Sequence, residues 1–177
     1  MEEKVPIPAT QIQMSAYNIQ YATTADIPLI RELALKIWPQ TYASILSADK
    51  ITYMLELMYS PGSLAKQMEE GAQFIVITDD KEPVAFASYQ EIHPGIFKLH
   101  KIYVLISQQG KGTGRFIIDH ILAEIKKKKG TALQLQVNRN NPARYFYEKI
   151  GFTVIDEIDL DIGNGYVMDD YIMEKKL

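Results

Sequence analysis

A glycine-rich turn between an apolar strand and an amphipathic helix is the feature that most constrains the fold of this chain. Residues 109–114 read Gln-Gly-Lys-Gly-Thr-Gly and separate the predicted strand 96–105 from the predicted helix 116–129. Backbone N–H groups at such a turn can point at an anion, with the positive end of the helix dipole behind them. The same glycines also suit a tight connection that binds nothing, so the turn predicts either an anion-binding loop or a simple strand-to-helix turn.

Spacing argues against two phosphate-binding glycine motifs. A P-loop needs a second glycine, followed by Lys and Ser or Thr, five positions after its first, and Arg115 stands at that distance from Gly110. A dinucleotide-binding fingerprint needs a glycine at that same position and an acidic residue at the end of the next strand, where this chain has Asn138. The sequence therefore disfavours ATP and NAD as ligands.

Hydrophobic periodicity predicts a single α/β domain over residues 17–177. Alternating segments predict a mixed, mostly antiparallel sheet of about seven strands, and helical segments predict about four helices flanking it. The first helix is expected to end at Pro39, because proline cannot donate to the helical hydrogen-bond ladder. Residues 1–16 contain two prolines and no periodicity, so they predict an N-terminal arm whose degree of order stays open. The predicted strands are residues 17–22, 72–78, 83–92, 96–105, 133–137, 152–162 and 167–175.

Composition limits the partners and the chemistry. The 177 residues include 19 Lys and Arg against 22 Asp and Glu, for a formal net charge of −3, and they include no cysteine. This balance argues against a nucleic-acid partner, and the lack of cysteine excludes disulfides, thiolate metal ligands and cysteine nucleophiles. The three histidines are far apart in sequence, so we expect a metal-independent protein. Neither a signal-peptide pattern nor a membrane-spanning segment is evident, which predicts a cytoplasmic protein with no membrane partner.

Two motifs in the same order and spacing make the chain resemble the GCN5-related N-acetyltransferase (GNAT) family. The family pattern Gln/Arg-x-x-Gly-x-Gly/Ala, at the start of the helix after the fourth strand, reads Gln109-Gly-Lys-Gly112-Thr-Gly114 here. The second family signature reads Asn138-Arg-Asn140-Asn-Pro-Ala143-Arg-Tyr-Phe-Tyr147-Glu-Lys-Ile-Gly151-Phe152. The resemblance covers about residues 17–177 and implies the acyl-CoA N-acyltransferase fold with acetyl-CoA as cosubstrate. Within the family, the chain is most similar to the PaiA-type polyamine acetyltransferases.

The resemblance also implies how acetyl-CoA is held. Backbone N–H groups of the glycine turn would bind the pyrophosphate, and the pantetheine arm would pair with the fourth strand where it diverges from the fifth. The polar ends of the fifth strand, Asn138 and Asn140, fit either a cofactor contact or the capping of a turn. The residues expected to bind acetyl-CoA are Ile102, Tyr103, Val104, Gln109, Gly110, Lys111, Gly112, Thr113, Gly114, Arg115, Asn138 and Asn140.

Three residues are candidates for proton transfer. Tyr147 matches the family's tyrosine that protonates the departing CoA thiolate, and it also fits a core aromatic beside Phe146 and Phe152. Many relatives carry a Glu on the fourth strand as the general base; this chain has His100 there, which can accept a proton near neutral pH. Glu91 is the second candidate for the base, and it fits a solvated edge residue equally well.

The predicted function is transfer of an acetyl group to the primary amine of a small molecule, such as a polyamine, by direct attack. Trp38, Tyr42 and Tyr53 are candidate aromatic walls of the acceptor pocket, although Trp38 and Tyr53 also fit the core, and Glu91 or Asp169 could attract a distal cation. The alternatives are a protein or peptide acetyltransferase acting on N-termini or lysines, and a CoA-binding sensor without turnover. The terminal hairpin would offer an edge for a homodimer, and the oligomeric state stays open.

Overall fold

The computed structural model describes residues 16–177, so the predicted N-terminal arm lies outside the described residues except for Ala16. These residues form seven strands and five α-helices. No helix among residues 16–177 is both long and apolar enough to span a membrane. In chain order the elements are β1 (Tyr17–Tyr21), α1 (Ile27–Tyr42), α2 (Ala48–Tyr59), α3 (Pro61–Glu69), β2 (Gln73–Asp79), β3 (Glu82–His93), β4 (Ile96–Val104), α4 (Thr113–Lys127), β5 (Ala132–Asn138), α5 (Ala143–Lys149), β6 (Thr153–Gly163) and β7 (Tyr166–Lys176).

The seven strands form one sheet in the order β1-β2-β3-β4-β5-β7-β6. Neighbouring strands are antiparallel except for β4 and β5, which run parallel and are connected through α4. A parallel pair needs such a crossover, and a helix is its usual form. The α/β fold class and the mostly antiparallel sheet of seven strands are therefore confirmed.

The sheet is covered by helices on both faces, and each face has its own hydrophobic core. On one face α4 buries Ile117, Ile118, Ile121, Leu122 and Ile125, a spacing that places them on one side of the helix. On the other face α1, α2 and α3 pack their apolar sides against Phe74, Val76 and Phe86 of the sheet. A cavity between β4 and β5 can therefore be reached by side chains from both layers.

The prediction that Pro39 ends the first helix is wrong, because α1 continues through Pro39 to Tyr42. Proline lacks an N–H group and so removes one hydrogen bond from the ladder. The last turn is held instead by packing: the rings of Trp38 and Tyr42 lie 4.5 Å apart between centroids, and the Trp38 ring lies 5.6 Å from that of Tyr103 on β4. The longer helix places Tyr42 over the sheet, where the sequence pattern alone would leave it in a loop.

A β-bulge interrupts β4 at His100. Ser88 of β3 pairs with Lys101 and Tyr89 pairs with Leu99, so His100 is the extra residue on β4. A bulge of one residue reverses the alternation of side chains along the strand. An even spacing in sequence therefore no longer places two side chains on the same face of the sheet when the bulge lies between them. The parallel pairing with β5 also ends here, since Leu99 and Leu135 are its last pair. Beyond the bulge, β4 and β5 diverge and the sheet opens.

Candidate active site

A cavity of about 1100 Å³ occupies the opening between β4 and β5. Its wall combines β4 from Lys98 to Val104, the glycine loop, the end of β5, the start of α5, and side chains of α1, α2 and β7. A second cavity of about 280 Å³ lies between α1 and α2 and is lined by apolar residues and Thr52, without a titratable side chain. The larger cavity is therefore the candidate active site.

The glycine loop leaves a row of backbone amides free at the N-terminus of α4. Gly110 and Gly112 have φ values of 78° and 83°, in the region that favours glycine, and a Cβ at either position would meet no atom within 4 Å. Phe116 makes the first helical hydrogen bond, to the carbonyl of Gly112 at 3.0 Å. Among residues 16–177 no acceptor binds the amides of Gly110, Gly112, Thr113, Gly114 and Arg115. Free amides at a helix N-terminus form an anion-binding site.

Contacts with β1 and β2 fix the position of this loop. The hydroxyl of Tyr17 lies 2.7 Å from the hydroxyl of Thr113, which is 1% exposed, and the amide of Gln108 donates to Asp79 at 3.3 Å. A Cβ on Gly114 would lie 3.4 Å from the ring of Phe146, so this glycine allows α4 to approach α5 closely. Lys111 is exposed and is not part of the cavity wall, unlike the other predicted loop residues.

The predicted cofactor-binding edge of β4 is unpaired on the side of β5. Ile102, Tyr103 and Val104 all lie on the cavity wall, beyond the last pair of the parallel ladder. The hydroxyl groups of Tyr103 and Tyr42 are 3.1 Å apart, which connects this edge to α1. An extended chain with its own amide groups could pair with this edge as an added strand.

Tyr147 packs in the core and also reaches the cavity wall. Its ring packs 5.4 Å from the ring of Phe146 and 5.8 Å from that of Phe152, and the residue is 8% exposed. Its side chain also lies on the cavity wall, and no group among residues 16–177 hydrogen-bonds to the hydroxyl. Burial, with a smaller contribution from Tyr42, raises the pKa of the phenol above its ordinary value, so it stays protonated at neutral pH.

The two candidate bases are placed differently. His100 lies on the cavity wall and is exposed to the open cavity; partial desolvation of the ring by that wall, with Lys98 and Lys101 nearby, lowers its pKa to about 4. Such an imidazole is neutral at neutral pH and is a weak proton acceptor. Glu91 is outside the cavity wall: its carboxylate is exposed and accepts the N–H of Gly95 at 2.9 Å in the β3–β4 turn. The geometry therefore does not support Glu91 as a base.

The asparagines after β5 cap the connection to α5. Asn138 lies on the cavity wall, and its Oδ1 accepts the N–H of Asn140 at 2.9 Å. Asn140 itself is exposed and does not reach the wall, so the structure does not support it as a cofactor contact. The asparagine that does reach the wall is Asn141, whose Oδ1 accepts the N–H of Ala143 at 2.9 Å. An Asx residue two positions before a helix is a sequence signal for this cap.

The proposed aromatic walls are only partly brought together. Trp38 and Tyr42 line the cavity, while Trp38 is also 2% exposed and donates to the Tyr59 hydroxyl at 3.2 Å. Tyr53 does not reach the wall, and its hydroxyl donates to the carbonyl of Ile162 at 2.6 Å. Asp169 is also outside the wall and accepts the side-chain amide of Asn138 at 3.3 Å. Tyr53 and Asp169 therefore do not support the acceptor-pocket roles considered for them.

Sequence reasoning missed the charged groups deepest in the cavity. Lys101 is 8% exposed; its ammonium donates to Gln67 at 2.7 Å and lies 5.3 Å from the centre of the Tyr59 ring. Burial, with the nearby charge of Lys98, lowers the pKa of Lys101 to about 8. Asp170 is 3% exposed, and burial, with a smaller contribution from Asp169, raises its pKa to about 6. The signal for Asp170 was its two-residue spacing from Met168, which places both on one face of β7.

The open sheet, the glycine loop before α4 and the cavity between two diverging strands together define an acetyltransferase of the GNAT class. A family model described as "Acetyltransferase (GNAT) domain" matches residues 43–171, which is most of the chain. The chain therefore belongs to the GNAT family and is an N-acetyltransferase.

Individual relatives agree with this assignment. The PaiA N-acetyltransferase of Thermoplasma acidophilum, solved in complex with coenzyme A, superposes with a TM-score of 0.77 and 26% identity over 92% of this chain and 99% of that chain. The ribosomal-protein-S18-alanine N-acetyltransferase of Escherichia coli shares the fold, with a TM-score of 0.68 and 21% identity over 90% of this chain and 93% of that chain. The bS18-alanine N-acetyltransferase of Haemophilus influenzae is 30% identical over 98 residues, which cover 55% of this chain and 66% of that protein.

Proposed function

We propose that the protein transfers the acetyl group of acetyl-CoA directly to the primary amine of a small molecule, with both substrates bound together. The observation that carries this proposal is that one continuous cavity includes the free amides of the glycine loop, the unpaired edge of β4, Tyr147 and side chains of α1 and α2. A cavity of this kind can hold the thioester and the amine in contact, so a covalent enzyme intermediate is not needed.

The residues present fit acetyl-CoA at one end of the cavity. The free amides of Gly110, Gly112, Thr113, Gly114 and Arg115 are suited to the pyrophosphate, because each can donate to a phosphate oxygen with the α4 dipole behind it. The edge of β4 from Ile102 to Val104 is suited to the pantetheine arm, whose amide groups can pair with backbone. Arg115 and Lys149 on the wall add positive charge for the phosphates.

Tyr147 would supply the proton for the leaving group. When the amine attacks the thioester carbonyl, the carbon–sulfur bond breaks and its electron pair goes to sulfur. A phenol that burial keeps protonated can give its proton to that thiolate, whose basicity is raised by the same low-dielectric surroundings, and can afterwards recover one from the amide nitrogen. The packing of its ring against Phe146 and Phe152 holds the hydroxyl at a fixed place on the wall.

The charges on the cavity wall bear on the choice of acceptor. The wall carries five cationic side chains, Lys50, Lys98, Lys101, Lys149 and Arg115, against one carboxylate, Asp170. The phosphates of CoA would neutralise only the cationic side chains at the end of the cavity where CoA binds. A polyamine would bring two or more positive charges to the end that already holds Lys50, Lys98 and Lys101. These charges favour an amine with a single ammonium group over a polyamine.

A second candidate acceptor is the N-terminus of a protein or peptide. The observation that favours it is the similarity to the Haemophilus influenzae bS18-alanine N-acetyltransferase, whose name states that acceptor. The alignment spans 66% of that protein and 55% of this chain, so it includes only part of the cavity wall. A peptide acceptor requires a groove that admits a chain end.

Release of free thiol from acetyl-CoA, measured with a panel of acceptors, tests the proposal. The panel includes amino acids and other monoamines, aminoglycosides, polyamines, and peptides with free N-termini or lysines. We expect turnover with a small monoamine that exceeds turnover with polyamines and with peptides. Turnover with peptides alone would replace the proposal by the second candidate, and preference for polyamines would contradict the argument from charge.

A further inference from the structure

Asp170 is the one carboxylate among the side chains that line the cavity, and the steps described so far do not use it. The residue is 3% exposed and lies in β7 opposite Asn138 of β5. Within the described chain, no donor lies within hydrogen-bonding distance of its carboxylate, and no Lys or Arg lies within 4.0 Å. Its oxygens are not sealed in the core but reach the cavity, where solvent or a ligand can donate to them. A ligand that brings a cationic hydrogen-bond donor into the cavity would give the Asp170 carboxylate the partner that the described residues do not provide.

The surroundings of Asp170 leave this carboxylate open toward the cavity. The charged or titratable groups that face it are Lys98 on β4, Lys50 on α2, Tyr42 on α1, Arg139 after β5 and its neighbour Asp169. The ammonium of Lys98 donates to Gln136 and that of Lys50 to the carbonyl of Val167. Arg139 is engaged by Glu157 and Asp159 of β6, at 3.8 and 3.0 Å. Each cation near Asp170 therefore has a partner elsewhere.

Asp170 and Tyr147 line the same cavity from opposite faces of the sheet. Asp170 lies on the face of α1 and α2, and Tyr147 belongs to the core under α4 and α5. Tyr42 of α1 lines this cavity as well, and its pKa is raised by burial and, to a smaller extent, by the charge of Asp170. An amine bound at Asp170 would enter the cavity from the side of α1 and α2, across from the face that holds Tyr147.

We propose that Asp170 binds the ammonium group of the acceptor and takes one of its protons, which leaves the nitrogen nucleophilic. This inference rests on the proposed function. One proton passes from the ammonium to the carboxylate, and the free electron pair on nitrogen attacks the thioester carbon. The carbon–nitrogen bond forms, the carbon–sulfur bond breaks, and sulfur takes the proton of Tyr147. The nitrogen then loses its second proton to the tyrosinate, and Asp170 releases its proton to solvent.

Binding in the cavity narrows the difference between the pKa of an acceptor ammonium and the pKa of Asp170. A free alkylammonium has a pKa of about 10.4. The lysine ammonium groups on the cavity wall show the direction of this effect. Burial lowers the pKa of Lys98, and burial together with the charge of Lys98 lowers the pKa of Lys101 to about 8. Burial raises the pKa of Asp170 to about 6. An acceptor ammonium in the same place would lose its proton more readily than in water.

The test compares Asp170→Asn with Asp169→Asn, its neighbour on β7, after wild-type turnover has been established with an amine from the panel. Both variants remove one negative charge, but Asp169 is outside the cavity wall. We measure kcat/KM for the amine from about pH 5 to pH 9, the Kd of CoA and the Tm. Asp170→Asn is expected to lower kcat/KM by about 100-fold and to lose the ascending limb of the profile. Its Kd for CoA should not change, and its Tm should not fall.

Asp169→Asn is expected to keep the ascending limb and to move it to lower pH, because Asp169 contributes to the raised pKa of Asp170. The inference is overturned if Asp170→Asn keeps the limb and its rate. It is also overturned if Asp170→Asn loses stability or CoA affinity, because the carboxylate would then have a structural role. Absence of wild-type turnover with every amine would instead defeat the proposed function, and this inference with it.

Discussion

Leu99 of β4 and Leu135 of β5 form the last pair of the parallel ladder, and His100, the next residue, is the extra residue of a β-bulge. The bulge turns β4 away from its neighbour at the point where the pairing stops. Beyond it, the backbone from Ile102 to Val104 has no paired strand on that side, and the Val104 carbonyl accepts the side-chain amide of Gln109 at 3.4 Å. The place where the sheet opens therefore also provides the backbone edge and the wall of the cavity.

Replacement of Tyr147 by Phe tests its role as the proton donor to sulfur. The ring contacts with Phe146 and Phe152 remain, so the variant should fold and bind acetyl-CoA as before. Loss of the proton donor should lower kcat by about 100-fold. The matched control is Tyr145→Phe on the same helix, whose side chain is 69% exposed and lies outside the cavity wall. Equal kcat values for the two variants would contradict the role of Tyr147.

Replacement of Gly112 by Ala tests the anion-binding loop. The φ value of 83° is unfavourable for alanine, while the added methyl group would contact nothing within 4 Å, so the effect is on backbone conformation. Losing one amide–phosphate hydrogen bond, worth about 1.5 kcal/mol or more, should raise the Kd of CoA by about tenfold.

Calorimetric titration of CoA measures this change, with Gly62→Ala in α3 as the control. Gly62 is helical and its added Cβ would also meet no atom within 4 Å, so its Kd should match that of the wild type. A Kd for Gly112→Ala equal to that of the control would show that the loop does not bind the phosphates.

Replacement of His100 by Gln separates the two groups that could take the amine's proton. Partial desolvation by the cavity wall, with Lys98 and Lys101, lowers the pKa of His100 to about 4, so the imidazole is already neutral in the pH range in which Asp170 titrates. We expect the ascending limb of kcat/KM near pH 6 to persist in His100→Gln. Disappearance of that limb, with the limb retained in Asp170→Asn, would assign the base to His100 instead.

Asp170 should also make stability depend on pH. Its pKa in the folded protein, about 6, lies above the ordinary value of 3.8, so the folded state holds the proton more tightly than the unfolded state. The free energy of unfolding therefore falls as the pH rises from 3.8 to about 6. Asp170→Asn has no carboxylate at this position and does not show this loss. The Tm of the variant should match the wild type below about pH 4 and exceed it by about 5 °C above pH 6.

Scanning calorimetry of the ligand-free protein at several pH values measures this difference. Glu69→Gln, an exposed carboxylate on α3, is the control for the loss of one charge, and its Tm difference from the wild type should not grow with pH. A constant difference for Asp170→Asn would contradict the raised pKa of Asp170.

Elements with a local pattern could be predicted from the sequence. The alternation in β5 and the apolar spacing in α4 identify their elements without reference to the rest of the chain. The glycine loop could likewise be placed before a helix, because Gly110 and Gly112 are needed where φ is positive. These local patterns account for most of the fold and for the end of the cavity that is suited to acetyl-CoA.

Features that depend on contacts between distant elements could not be predicted. The bulge at His100 is a matter of register between β3 and β4, which the sequence of β4 does not record. The burial of Asp170 results from packing under α1 and α2; the alternation of β7 indicates the face of the strand on which Asp170 lies but not what covers that face. The continuation of α1 past Pro39 depends on the contact of Trp38 and Tyr42 with Tyr103. The acceptor end of the cavity is therefore the part of the site that the sequence predicts least.

The initial rate of thiol release, measured while acetyl-CoA and the acceptor amine are both varied, tests most directly whether one cavity holds both substrates. Direct transfer requires that both are bound before the acetyl group moves, so the double-reciprocal lines should intersect. The intact mass of the enzyme after incubation with acetyl-CoA alone should be unchanged. Parallel lines, together with an acetylated enzyme in that incubation, would contradict direct attack and show that a side chain of the protein carries the acetyl group.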